Sequence, residues 1–164
     1  MTTWKAAIGM TALLATLASA AHADSRAATE RHATLAVVVH SSNAVSEMTL
    51  KDLKRFFQGE RRFWADNHRV TLVMPPPGSA AREVALRRIY EMSEGEYKKY
   101  WIQRVFQDEI TAGPKSPASV QAQLALVAST TDVLAIVNAD SVKGPGKALK
   151  IDGKNWKDEG YPLK

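Results

Sequence analysis

Two short runs, T-L-A-V-V-V-H at residues 34–40 and V-L-A-I-V at 133–137, are almost wholly apolar and rich in β-branched side chains. A strand with one wet face alternates apolar and polar residues, because successive side chains point to opposite faces. These runs do not alternate, so each predicts a strand covered on both faces, in a parallel or mixed sheet. Covering both faces takes helices, and the intervening sequence supplies them. Thr49 with Asp52 resembles a capping box before Leu50, Leu53, Phe56 and Phe57, which give a short helix an apolar face that stops at Gly59. A loop with Arg61, Arg62, Trp64, Asp66 and Asn67 leads to another buried strand at 69–74, ended by Pro75-Pro76-Pro77-Gly78.

Two helices then follow one another. Ser79 caps the first, predicted to run to about Met92 with Leu86, Ile89 and Tyr90 on one face, and Ser93 with Glu96 opens the second, through about Phe106. Ser116-Pro117 reads as an N-cap with proline at the first helical position, opening a helix that points Val120, Leu124 and Val127 inward. After the strand at 133–137, an edge strand is expected near 148–151 and a loosening tail beyond it. Strands alternating with helices make this an α/β domain in which a mixed sheet is flanked by helices.

The first residues read as an address. Lys5 is followed by an apolar run at 6–18 and a small-x-small site at Ala21-His22-Ala23, the pattern of a cleaved secretory signal peptide over residues 1–23. A membrane anchor is the rival reading, but the run is shorter than the roughly 20 apolar residues of a spanning helix. Residues 24–164 are then the exported domain, with 24–33 a polar, Ala-rich arm, and the periplasm is the expected compartment. The absence of cysteine excludes disulfides, thiolate metal sites and cysteine nucleophiles. A net charge of +5 favours anionic ligands. The basic residues are interleaved with Glu and Asp instead of forming a stripe, which argues against nucleic acid. His32, His40 and His68 lack metal-ligand spacing, and Gly78-Ser79-Ala80 lacks the Gly-x-Ser-x-Gly form of a nucleophile elbow. No catalytic residue, metal or cofactor is therefore assigned.

Several pieces stand in a telling order: A-V-V-V-H-S-S-N, L-K-D-L-K-R-F-F-Q-G, R-R-F-W-A-D, V-T-L-V-M, P-G-S-A-A-R and L-V-A-S-T-T-D-V-L-A-I-V. Together they resemble the phosphate-receptor branch of the periplasmic substrate-binding proteins, the soluble partners of phosphate importers. The resemblance implies one lobe of a type II periplasmic binding protein-like fold, since a complete receptor closes two lobes over its ligand. It places Ser79 and Arg82 on the family's serine and trailing arginine. Ala80 stands at the family's second glycine, Ala81 at its threonine, and Pro75 at an upstream arginine.

A strand, a Pro-Gly turn and a helix start can bind an anion through free backbone N–H groups and the helix dipole. Gly78, Ser79 and Ala80 would contribute largely through the backbone, and Arg82 could make a bidentate contact to phosphate or carboxylate. Ser41 and Ser42, beyond the end of the first strand, are expected to face the same crevice. The plainer reading makes Ser79 only a cap and Arg82 only a surface residue. A weak oxyanion-binding protein and a ligand-free module serving a membrane transporter or sensor both remain open. So does pairing of two copies into a homodimer that rebuilds a two-lobed cleft. The aromatic residues at 56–64 and 97–106 read as core, and any left exposed would mark a partner surface.

Overall fold

The computed structural model describes residues 33–107, 112–142, 144 and 146–164. The expected signal peptide at 1–23 and most of the expected arm lie outside the described residues. Among the described residues six strands occur in chain order: β1 (Leu35–His40), β2 (Glu47–Met48), β3 (Thr71–Val73), β4 (Val133–Asn138), β5 (Gly146–Ala148) and β6 (Lys150–Ile151). The main sheet has the order β3-β4-β1-β5, while β2 and β6 form a small parallel pair. Strand β1 runs antiparallel to both β4 and β5, and β3 runs parallel to β4, so the sheet is mixed.

The two apolar runs are buried on both faces, and their alternation sorts the core into two layers. Leu35, Val37 and Val39 join Leu134 and Ile136 in one cluster, whereas Ala36 and Val38 join Ala135 and Val137 in the other. The first layer is closed by α1 (Leu50–Phe57), α2 (Ala80–Ala85, prolonged by a π turn at Leu86–Tyr90) and α3 (Glu94–Phe106). The second is closed by α4 (Val120–Ser129), chiefly through Val127. Gly146 admits this packing, because a Cβ there would collide with Val38 Cγ1 and Val127 Cγ1.

Local capping follows the sequence closely. Thr49, Ser79 and Ser93 each accept a hydrogen bond from the backbone N–H three residues on, and Ser93 with Glu96 completes a capping box. The start of α4 differs from expectation: its cap is Ser119, not Ser116. The segment before it is held extended, since Lys115 bridges in parallel to Val73 and exchanges backbone hydrogen bonds with Leu72 and Met74. Pro117 therefore lies ahead of the helix. Along α4, Val127 and the unexpected Gln123 are buried, while Leu124 is only partly covered. The tail does not loosen: Tyr161 and Leu163 are buried, and Leu35 N–H donates to Leu163 O at 2.9 Å.

Candidate functional site

Strand β3 leaves the sheet through Met74 and the buried Pro75 and Pro76, and the chain reverses at Gly78 before α2 begins. Gly78 has φ +73, a conformation that side chains with a Cβ disfavour, and this is the reason for a glycine at the turn. Ser79 spends its hydroxyl locally, donating to Pro76 O at 2.7 Å and accepting from Arg82 N–H at 3.2 Å. No base that could activate it is among those partners. Ala80 is half-buried at the first helical position.

Arg82 is 3% exposed, which removes the reading of it as a surface residue. Its guanidinium grips one carboxylate from two sides, with Nε 3.0 Å from Glu94 Oε2 and Nη2 3.0 Å from Glu94 Oε1. Nη1 donates to Ser116 Oγ at 2.8 Å and to Pro75 O at 3.4 Å, and the group lies 4.6 Å from the centre of the Tyr97 ring. Burial pushes the Tyr97 phenol up, an effect that Arg82 opposes. The bidentate carboxylate contact that the sequence made available to a ligand is thus taken within the chain. The Glu94 side chain keeps 37% exposure and borders a groove of about 340 Å³, shared with Gly78, Arg82, Arg87 and Ser93.

Glu94 comes to Arg82 through the π turn. The turn ends at Glu91 in the left-handed region, φ 57, and Met92 N–H reaches back to Leu86 O at 3.3 Å. The chain reverses there and brings the first residue of α3 beside α2. Twelve residues separate the partners in sequence. The acidic first turn of α3 reads as helix-start electrostatics, which is true of Glu96, whose carboxyl is held below its ordinary value by Ser93. Ser116 was likewise legible only as a cap.

Ser41 and Ser42 do not share this crevice. Strand β1 is antiparallel to β4, and β4 is parallel to β3, so the exit of β1 lies where β3 enters, at the sheet end opposite Gly78. Both serines are exposed. Ser42 binds His40 Nδ1 at 2.7 Å and borders a separate hollow with Trp64, His68 and Asp132. The two halves of the expected ligand set are therefore on opposite rims, because apolar runs carry no information about strand direction.

A mixed sheet sandwiched by helices, with a turn and helix start at the exit of β3, is one lobe of a type II periplasmic binding protein-like α/β fold. Solved structures share it, three of them as follows. A phosphate ABC transporter substrate-binding protein from Clostridium perfringens, with bound phosphate, aligns with TM-score 0.60 and 17% identity over 77% of this chain and 48% of that one. An ABC-type phosphate transport receptor from Vibrio cholerae aligns with TM-score 0.59 and 16% identity over 80% and 53%. PstS from Borrelia burgdorferi aligns with TM-score 0.58 and 10% identity over 75% and 49%. The chain spans about half the length of these proteins, and at such identities the likeness is one of fold. No family model and no curated protein sequence matches the chain.

Proposed function

We propose that the chain is an exported, periplasmic, non-catalytic domain of the solute-binding type that takes a small phosphate-like oxyanion weakly at the Gly78–Arg82 turn. The observation that carries this is the two-sided grip of Arg82 on Glu94 at the rim of an open groove. A guanidinium so placed matches the geometry of an oxyanion, and the tethered carboxylate competes with any free one. Weak binding follows from that competition. The backbone N–H groups of Ala80 and Ala81, at the start of α2, would complete the seat, with Gly78 giving access. A metal is not needed for such a site, and among the described residues no group of three His, Asp or Glu side chains is placed to hold one.

The test is a thermal-shift titration with phosphate, sulfate and chloride at matched ionic strength, on the wild type and on Arg82→Ala. Ligand binding to the native state raises the midpoint by mass action, about 2.7 kcal/mol at a hundred times the dissociation constant. A response to phosphate beyond that to chloride, weakened in Arg82→Ala, supports the site. Equal responses to all three salts in both proteins would remove it.

A second reading is favoured by a different observation. Ile102, Val105 and Phe106 are 59%, 40% and 85% exposed, and their spacing places them on one face of α3. This is the surface expected of a ligand-free module that docks on a membrane transporter or sensor. Retained docking on such a partner after Phe106→Glu would argue against it.

A further inference from the structure

A second pocket lies away from the Gly78 turn, at the outer edge of the sheet where β3 begins. It is a hollow of about 270 Å³ walled by Val70, Leu72, Trp101 and Pro114 and bordered by Arg62, Arg69 and Lys115. The fold builds it from three pieces. The Phe63–Arg69 bridge brings one cation to its mouth, and the Lys115–Val73 bridge fixes another along the free edge of β3. Helix α3 supplies the floor, where the indole of Trp101, 8% exposed, packs on the backbones of Gly59 and Gly113. A Cβ on Gly113 would stand 3.0 Å from that ring, so glycine there lets the indole lie flat against the loop.

Size and chemistry select an occupant. A closed cavity of roughly 150 Å³ suffices for one benzene ring, and drug-sized ligands begin at pockets of about 300 Å³, so this hollow fits a single ring with a short substituent. Trp101 and Pro114 offer flat apolar walls. Bare phosphate would lose hydration against those walls and leave the apolar slot unfilled, gaining only the exposed cations at the rim. Arg69 and Lys115 are both exposed, and neither has a carboxylate within ion-pair distance among the described residues. Arg69 and Lys115, over an apolar slot, complement a negative charge carried at one end of an apolar body.

We infer that this pocket is a binding site for a small aromatic carboxylate, with the ring on Trp101 and the carboxylate between Arg69 and Lys115. The site is independent of the oxyanion seat at Gly78. Its occupant is recognised by shape and charge together, which neither a bare oxyanion nor a neutral ring supplies.

The experiment is isothermal titration of the purified protein with benzoate, benzamide and acetate, on the wild type, Arg82→Met and the pair Arg69→Ala/Lys115→Ala. Both cations are surface residues, so the paired variant keeps the core intact. The expected result is saturable one-to-one binding of benzoate and at least about tenfold weaker binding of benzamide and acetate, given the strength of charge-assisted contacts. The paired variant should lose benzoate binding by a similar factor, and Arg82→Met, which lacks the oxyanion seat, should keep it. No saturable heat with benzoate would overturn the inference. So would benzamide binding as tightly, or full retention in the paired variant, which would put the anion elsewhere.

Discussion

Removing Glu94 should destabilise the protein more than removing Arg82, although the two make the same ion pair. The asymmetry comes from burial: Arg82 is 3% exposed, whereas the Glu94 side chain is 37% exposed. Breaking a buried pair costs about 3–5 kcal/mol when the survivor is a stranded charge. In Glu94→Ala the guanidinium keeps only Ser116 Oγ, Pro75 O and the Tyr97 face, neutral partners that compensate part of the loss. The expected cost is about 3 kcal/mol, at the low end of that range. In Arg82→Met the apolar stem is retained and Glu94 turns to water, so the loss is about 1–2 kcal/mol of charge-assisted hydrogen bonding. The double variant should then be more stable than Glu94→Ala alone, since it no longer strands a charge. Urea unfolding followed by far-UV circular dichroism measures all three. A cost for Arg82→Met equal to or above that for Glu94→Ala would refute the reasoning, as would a double variant less stable than Glu94→Ala.

Three further outcomes are expected. Gly146→Ala should destabilise by about 1–3 kcal/mol through overpacking against Val38 and Val127, read in the same unfolding assay. Ser119→Ala should cost about 1 kcal/mol by uncapping α4, whereas Ser116→Ala should leave the circular-dichroism helix signal unchanged, because Ser116 caps nothing. Stability should fall on acidification: Lys54 holds Glu91, and Ser93 holds Glu96, below the ordinary value of 4.5. Depressed carboxyl pKa values contribute stability above the unfolded value and lose it as pH drops through the folded one. A pH titration of the unfolding midpoint should therefore decline below about 4.5, and Glu91→Gln/Glu96→Gln should flatten that decline.

The layers of the fold were legible in the sequence because they rest on local patterns. Continuous apolar runs marked β1 and β4 as strands covered on both faces, and three caps at Thr49, Ser79 and Ser93 are contacts within a single turn. What failed depended on residues far apart. Ser116-Pro117 carries the local signature of a helix start, yet a bridge to β3 and a contact with Arg82 hold that segment extended. Ser41 and Ser42 were placed with Gly78 because an apolar run does not encode strand direction. The tail was expected to loosen beyond its edge strand, but Leu163 pairs with the first residue of β1.

The candidate site shows the same division. The turn at Gly78 and the cap at Ser79 could be read from P-G-S, and Arg82 from its place one turn into the helix. The partner that decides what Arg82 does could not, since a π turn and a left-handed Glu91 bring Glu94 back across twelve residues. An arginine free for a ligand and an arginine already holding a carboxylate look alike in sequence.

The most direct measurement follows the Arg82 Nε–H resonance of the labelled protein by nuclear magnetic resonance during titration with phosphate, with chloride as control. Displacement of Glu94 by the anion predicts a saturable shift with phosphate alone, reached at lower concentration in Glu94→Ala. A resonance that stays in place with phosphate in both proteins would contradict an oxyanion seat at Arg82.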